Sequence, residues 1–105
     1  MAQKVRYKDT VFVRFKPQAF DGTNWIPVTP DTYNAFLETP EVTPSQLVPL
    51  PINYGNDDYY YVEFYASPDT YSDLKGGDAY YIAFYWEKDG YKLVERELVI
   101  IVPDV

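Results

Sequence analysis

Carboxylates are the only side chains this sequence offers for acid–base chemistry. It contains no histidine and no cysteine. That removes the usual neutral-pH base, thiolate nucleophiles, disulfides, and the imidazole and thiolate ligands of zinc. Glu63, Asp69, Asp73, Asp78, Glu87, Glu95 and Glu97 could in principle supply the two acids of a glycosidase. Nothing in their spacing selects a pair, and most fall on turns or at outward strand positions, where a carboxylate is ordinary solvated charge. Oxygen ligands for calcium recur at Asn53, Asn56, Asp57 and Asp58, and again at Asp69, Asp73 and Asp78. Both groups lack the alternate-residue loop with its central glycine and terminal glutamate, and turn formation accounts for both. The expectation is a protein that is not an enzyme and holds no cofactor and no metal.

Tyrosine, present twelve times, needs more explanation. Tyr59, Tyr61, Tyr65, Tyr81 and Tyr85 occupy the strand positions opposite the most apolar ones. Tyrosine brings large contact area at low entropic cost with a polar tip, so a protein partner is one reading of these faces. Stacking on a glycan is a second, and simple strand formation over a thin sandwich is a third. Charge is also unevenly placed. Nine basic and sixteen acidic residues give −7 overall, a poor match for phosphate backbones or anionic membrane surfaces. Residues 1–16 nevertheless hold Lys4, Arg6, Lys8, Arg14 and Lys16 against Asp9 alone, a net of +4, which leaves −11 on the remainder. Lys4, Arg6 and Lys8 are therefore candidate contacts for an acidic partner surface, or alternatively guards of an edge strand against mispairing.

The elements that position these residues have period two. Val11, Val13 and Phe15 alternate with Phe12, Arg14 and Lys16. Over 59–66, Tyr60, Val62 and Phe64 share one face, and over 78–87 Tyr80, Ile82, Phe84 and Trp86 do. Lys88-Asp89-Gly90 then reads as a hairpin into a strand over 91–102, because Asp-Gly between alternating runs favours that turn. Six of the nine prolines lie between Pro27 and Pro51, which restricts this stretch to short edge strands near 24–28, 33–38 and 46–52. One helical turn over 31–37 is an alternative there. The length of 105 residues suits a single domain spanning 1–105. No run of about 18 apolar residues spans a bilayer. The opening Met1 to Arg6 lacks the apolar stretch of a signal peptide, so synthesis in a cytoplasm without secretion by that route is expected.

The stretch Leu74-Lys75-Gly76-Gly77-Asp78-Ala79-Tyr80-Tyr81-Ile82 resembles the tyrosine corner of immunoglobulin-like and fibronectin type III-like domains. The resemblance implies an all-β, immunoglobulin-like two-sheet sandwich of about seven strands. In it Leu74 closes one strand, and Tyr80 bonds its hydroxyl back to the corner backbone near Leu74–Gly77. The cysteine pair of such domains is missing, and Trp25 or Trp86 would have to supply core bulk. At a coarser level the acidic, tyrosine-rich chain, ending in Glu97-Leu98-Val99-Ile100-Ile101-Val102, is similar to the small immunoglobulin-like domains of tailed-bacteriophage virion proteins. That likeness implies a non-catalytic virion component, foremost an auxiliary capsid (decoration) protein bound in many copies to capsid or other virion subunits. A tail or baseplate adhesion module and a carbohydrate-binding module are the alternatives.

Overall fold

The computed structural model describes residues 2–103, which form ten strands and no helix. In chain order the strands are β1 (Gln3–Arg6), β2 (Thr10–Phe15), β3 (Gln18–Phe20), β4 (Trp25–Pro27) and β5 (Thr32–Glu38), followed by β6 (Gln46–Pro49), β7 (Ile52–Tyr54), β8 (Tyr60–Tyr65), β9 (Ala79–Lys88) and β10 (Tyr91–Val102). The four long alternating runs become β2, β8, β9 and β10, each within a residue of the bounds read from periodicity. The excess over seven comes from short pieces. The stretch over 46–52 breaks into β6 and β7, because Pro49 and Pro51 interrupt the ladder. Between them Leu50 is buried and donates its N–H to the Ala35 carbonyl at 2.9 Å. The alternative helical turn over 31–37 does not form, since Thr32–Glu38 pairs along its whole length with β9.

Two sheets result, ordered β1-β10-β9-β5-β6 and β2-β8-β7, with β3 and β4 as a separate ribbon. β1 runs parallel to β10, and the other pairings are antiparallel. The chain changes sheet between β1 and β2, between β2 and β5 by way of the β3–β4 ribbon, at Pro49–Pro51, and between β8 and β9, so neither sheet is a simple meander. Asp89 and Gly90 both take positive φ, 52° and 83°, which gives a two-residue turn whose twist matches the flanking strands.

The core is the interface of the two sheets. Val13, Phe15, Tyr60, Val62 and Phe64 face Leu37, Ile82, Phe84, Val99 and Ile101, all buried. Phe15 stacks on Phe84 with ring centres 5.3 Å apart. Those of β2, β8 and β9 are the residues the alternation assigned to one face of each strand, and burying such side chains contributes roughly 1.5–3 kcal/mol apiece.

At the corner, Leu74 is 1% and Tyr80 6% exposed, but Leu74 lies in the β8–β9 connection and closes no strand, since β8 ends at Tyr65. The Tyr80 hydroxyl, however, donates to the Asp78 carboxylate at 3.1 Å rather than to the Leu74–Gly77 backbone. Asp78 stands two residues before Tyr80, on the same side of the chain, and a charged acceptor outcompetes a carbonyl. The turn itself is tied to β10: Gly77 N–H donates to the Ile101 carbonyl, and Ile101 N–H to that of Asp78, both at 2.8 Å. Burial, and then the Asp78 carboxylate, push the Tyr80 phenol up to about 12.

Candidate binding site

The basic N-terminal residues do not form one patch. Lys4 and Arg6 lie exposed on β1, the edge of the five-stranded sheet, and Lys8 follows in the β1–β2 turn with φ of 69°. Arg14 and Lys16 belong to β2 and the residue after it, in the other sheet. Among the described residues, the ion pairs are Lys88–Asp31 and Arg96–Glu38, so none of these five cations is engaged in one.

The five candidate tyrosines are likewise divided. Tyr61 and Tyr65 stand on the outer side of β8 with Tyr59 just before it, and Tyr81 and Tyr85 on the outer side of β9 in the opposite sheet. They point away from each other and cannot meet one flat partner together. All five are half-buried, and several are committed within the molecule. The Tyr59 ring carries the Arg14 guanidinium at 4.5 Å and the Lys16 amine at 5.4 Å. Tyr61 donates its hydroxyl to Asp57 at 2.6 Å, which raises the Tyr61 phenol and lowers the Asp57 carboxyl.

Tyr85 donates to Glu38, a fully buried carboxylate that also accepts from Arg96 Nε at 2.8 Å. The Arg96 Nη2 donates to the Tyr85 hydroxyl at 3.2 Å, and the arrangement holds the Arg96 guanidinium's pKa up. Glu38 and Arg96 escaped the sequence reading because each occupies the polar slot of an alternating strand, the pattern of an exposed charge.

Of the carboxylates considered for chemistry, Glu63 and Asp69 share the rim of a hollow of about 390 Å³ with Tyr65 and Thr70. Among the described residues no three acidic side chains gather as a metal site.

A different surface stands out. The β3–β4 ribbon leans over the start of β10, and the two bring Phe20, Trp25, Ile26, Tyr91 and Leu93 into water at the same end of the sandwich. Trp25 is 65% and Tyr91 75% exposed. Phe20 packs against Trp25 with ring centres 5.5 Å apart. The ribbon tip is held by Asp21, which accepts from the Thr23 and Asn24 N–H groups at 2.8 and 2.7 Å; these bonds keep its carboxyl below the usual range. A cleft of about 510 Å³ opens between Trp25, Val28, Trp86, Tyr91 and Leu93, with Lys92 and Asp89 at its mouth.

Beside it lies a hollow of about 350 Å³ reaching Lys16, Gln18 and Glu95. Trp86, which is buried, donates its indole N–H to Glu95 at 3.1 Å. Burial raises the Glu95 carboxyl above its ordinary value, and the indole bond acts the other way. The two tryptophans thus separate: Trp86 is core, and Trp25 is surface. Aromatic residues flanking the turn formers Asp21-Gly22-Thr23-Asn24 are the sequence signal for this tip. Chemically the site offers apolar stacking area with a thin polar rim, suited to binding. Compared with known protein families, curated proteins and solved structures, the chain matches none.

Proposed function

We propose that the chain is a non-catalytic binding domain of the immunoglobulin-like type, serving as a structural component of a tailed-phage particle. The main contact surface is the end that carries Trp25 and Tyr91, with the basic β1 edge beside Val99–Val102 as a second contact. The observation behind this reading is the exposure of these two rings beside an apolar cleft on an otherwise well-packed sandwich. Large aromatics grouped in water are a liability unless a partner covers them. The strand order favours the fold assignment: β10-β9-β5-β6 opposite β2-β8-β7 parallels the G-F-C-C′ and B-E-D sheets of immunoglobulin variable-type domains. The phage setting rests on the likeness in size, charge and tyrosine content, and within it we favour decoration of the capsid shell.

The test uses particles of the phage that encodes the chain, assembled with Trp25→Ala and Tyr91→Ala variants. Reduced occupancy of the shell by folded variants is expected, and full occupancy would overturn the assignment of the tip. Tail or baseplate adhesion is supported instead if occupancy is kept while host-cell attachment falls. The carbohydrate reading draws on Trp25 lying near Gln18 and Lys92. It takes first place if the parent is retained on a glycan column and Trp25→Ala is not.

A further inference from the structure

β10 is twelve residues long, but β1 covers only its last four, Val99–Val102. Along 91–98 no strand among the described residues pairs with the side of β10 facing away from β9. The two-residue turn makes Lys88 and Tyr91 a hydrogen-bonded pair, and antiparallel alternation then directs the peptide groups of Lys92, Val94 and Arg96 outward. The β9 strand shows the same phase. Glu87, opposite Lys92, turns its carbonyl away from β10, where it accepts from the Asp31 N–H at 2.8 Å. The hollow walled by Lys16, Gln18, Trp25, Trp86, Leu93 and Glu95 runs beside this free row.

We propose that this edge is a strand-addition site for an extended segment of a partner protein. The segment runs parallel to β10, in line with β1, and its alternate apolar side chains enter the hollow beside Trp25 and Leu93. The inference rests on the reading of the chain as a binding domain and names the chemistry of its partner. A row of alternating N–H and C=O groups at strand spacing is matched by another backbone, and the adjoining hollow selects side chains at every second position. The direction follows from β1, which already pairs parallel on the same edge four residues further along.

A second copy of this chain fits poorly. Symmetric antiparallel pairing of two β10 edges keeps outward residues opposite outward residues. The two registers that engage most of 91–98, centred on Val94 and on Glu95, then set Lys92 against Arg96 or Glu95 against Glu95. Like charges directly opposed destabilise a ladder.

The probe is an acetylated, amidated peptide of alternating valine and threonine flanked by lysines, titrated into isotope-labelled protein. Amides of Lys92, Val94 and Arg96 are expected to shift and to exchange roughly tenfold more slowly. Those of Leu93 and Glu95, which already bond β9, keep their rates. Val94→Pro deletes an outward N–H without touching the β9 ladder, so it is expected to abolish the effect while keeping the fold. Should that variant fail to fold, the same peptide N-methylated at alternate residues makes the comparison on the parent protein and is expected to be inert.

Unchanged amides at millimolar peptide, or equal action of the N-methylated peptide, would overturn the proposal. So would maltohexaose shifting these residues where the peptide does not. The two readings fail separately. Loss of Trp25→Ala from particles without a peptide effect removes strand addition alone. A peptide effect with full particle occupancy removes the particle role alone.

Discussion

Removing Arg96 should cost far more than its surface position suggests. Glu38 ends β5 fully buried, on the outer side of the sheet, and its carboxylate is satisfied by Arg96 and Tyr85. Arg96 stands opposite Ala83, whose methyl group is small enough for the guanidinium to cross β9 toward Glu38. Deleting one partner of a buried pair costs about 3–5 kcal/mol, because the other charge stays desolvated. The Arg96 side chain is 29% exposed, so water reaches part of the pair, and the lower end, about 3 kcal/mol, is the expected value for Arg96→Met. At about 4–8 °C per kcal/mol for a domain near this size, the melting temperature falls by roughly 12–24 °C.

The double variant Glu38→Met with Arg96→Met removes both charges and is expected within about 1 kcal/mol of the parent. Urea unfolding with an unchanged slope measures both values. Ala83→Leu, which blocks the crossing, should resemble Arg96→Met. If Arg96→Met costs under about 0.5 kcal/mol, or the double variant is as damaged as the single, the reasoning about a desolvated carboxylate is refuted.

Tyr80→Phe is expected to lose about 1 kcal/mol at neutral pH, read from urea midpoints. Because the Tyr80 phenol is raised from 10.0 to about 12 in the folded protein, its stabilisation is complete below about pH 10 and disappears as pH climbs through 12. The parent should therefore lose on the order of 2 kcal/mol across that window which Tyr80→Phe does not, and parallel alkaline curves would count against it. Trp86→Ala should cost about 3–5 kcal/mol and Trp25→Ala under about 1 kcal/mol, since only the first opens a cavity; equal losses in thermal melts would contradict the core and surface assignment. Lys4→Glu, Arg6→Glu and Lys8→Glu together should lower particle occupancy, and parent occupancy should itself weaken above about 0.1 M salt, where exposed charges are screened. Occupancy unchanged at low and high salt sinks docking through the basic edge.

The identity of the long strands, and the inward face of β2, β8 and β9, were legible in the residues alone, because side-chain alternation is a property of the local backbone. Tyr60-Val62-Phe64 and Tyr80-Ile82-Phe84-Trp86 had to share a face in any strand that holds them. Asp89-Gly90 marked its hairpin for an equally local reason, the positive φ that both residues tolerate. Sheet membership was not legible. Nothing near Tyr61 or Tyr85 says that β8 and β9 lie in opposite sheets, yet that decides that the five outward tyrosines cannot act together.

The same holds for Glu38, whose burial comes from Tyr85 and Arg96 arriving 47 and 58 residues later in the chain. Alternation already put Trp86 on the inward face of its strand, whereas only the placement of the β3–β4 ribbon over β10 leaves Trp25 in water. Local sequence set what each segment could be. Long-range packing chose which sides met, because the free energy of burying a face depends on what lies across from it.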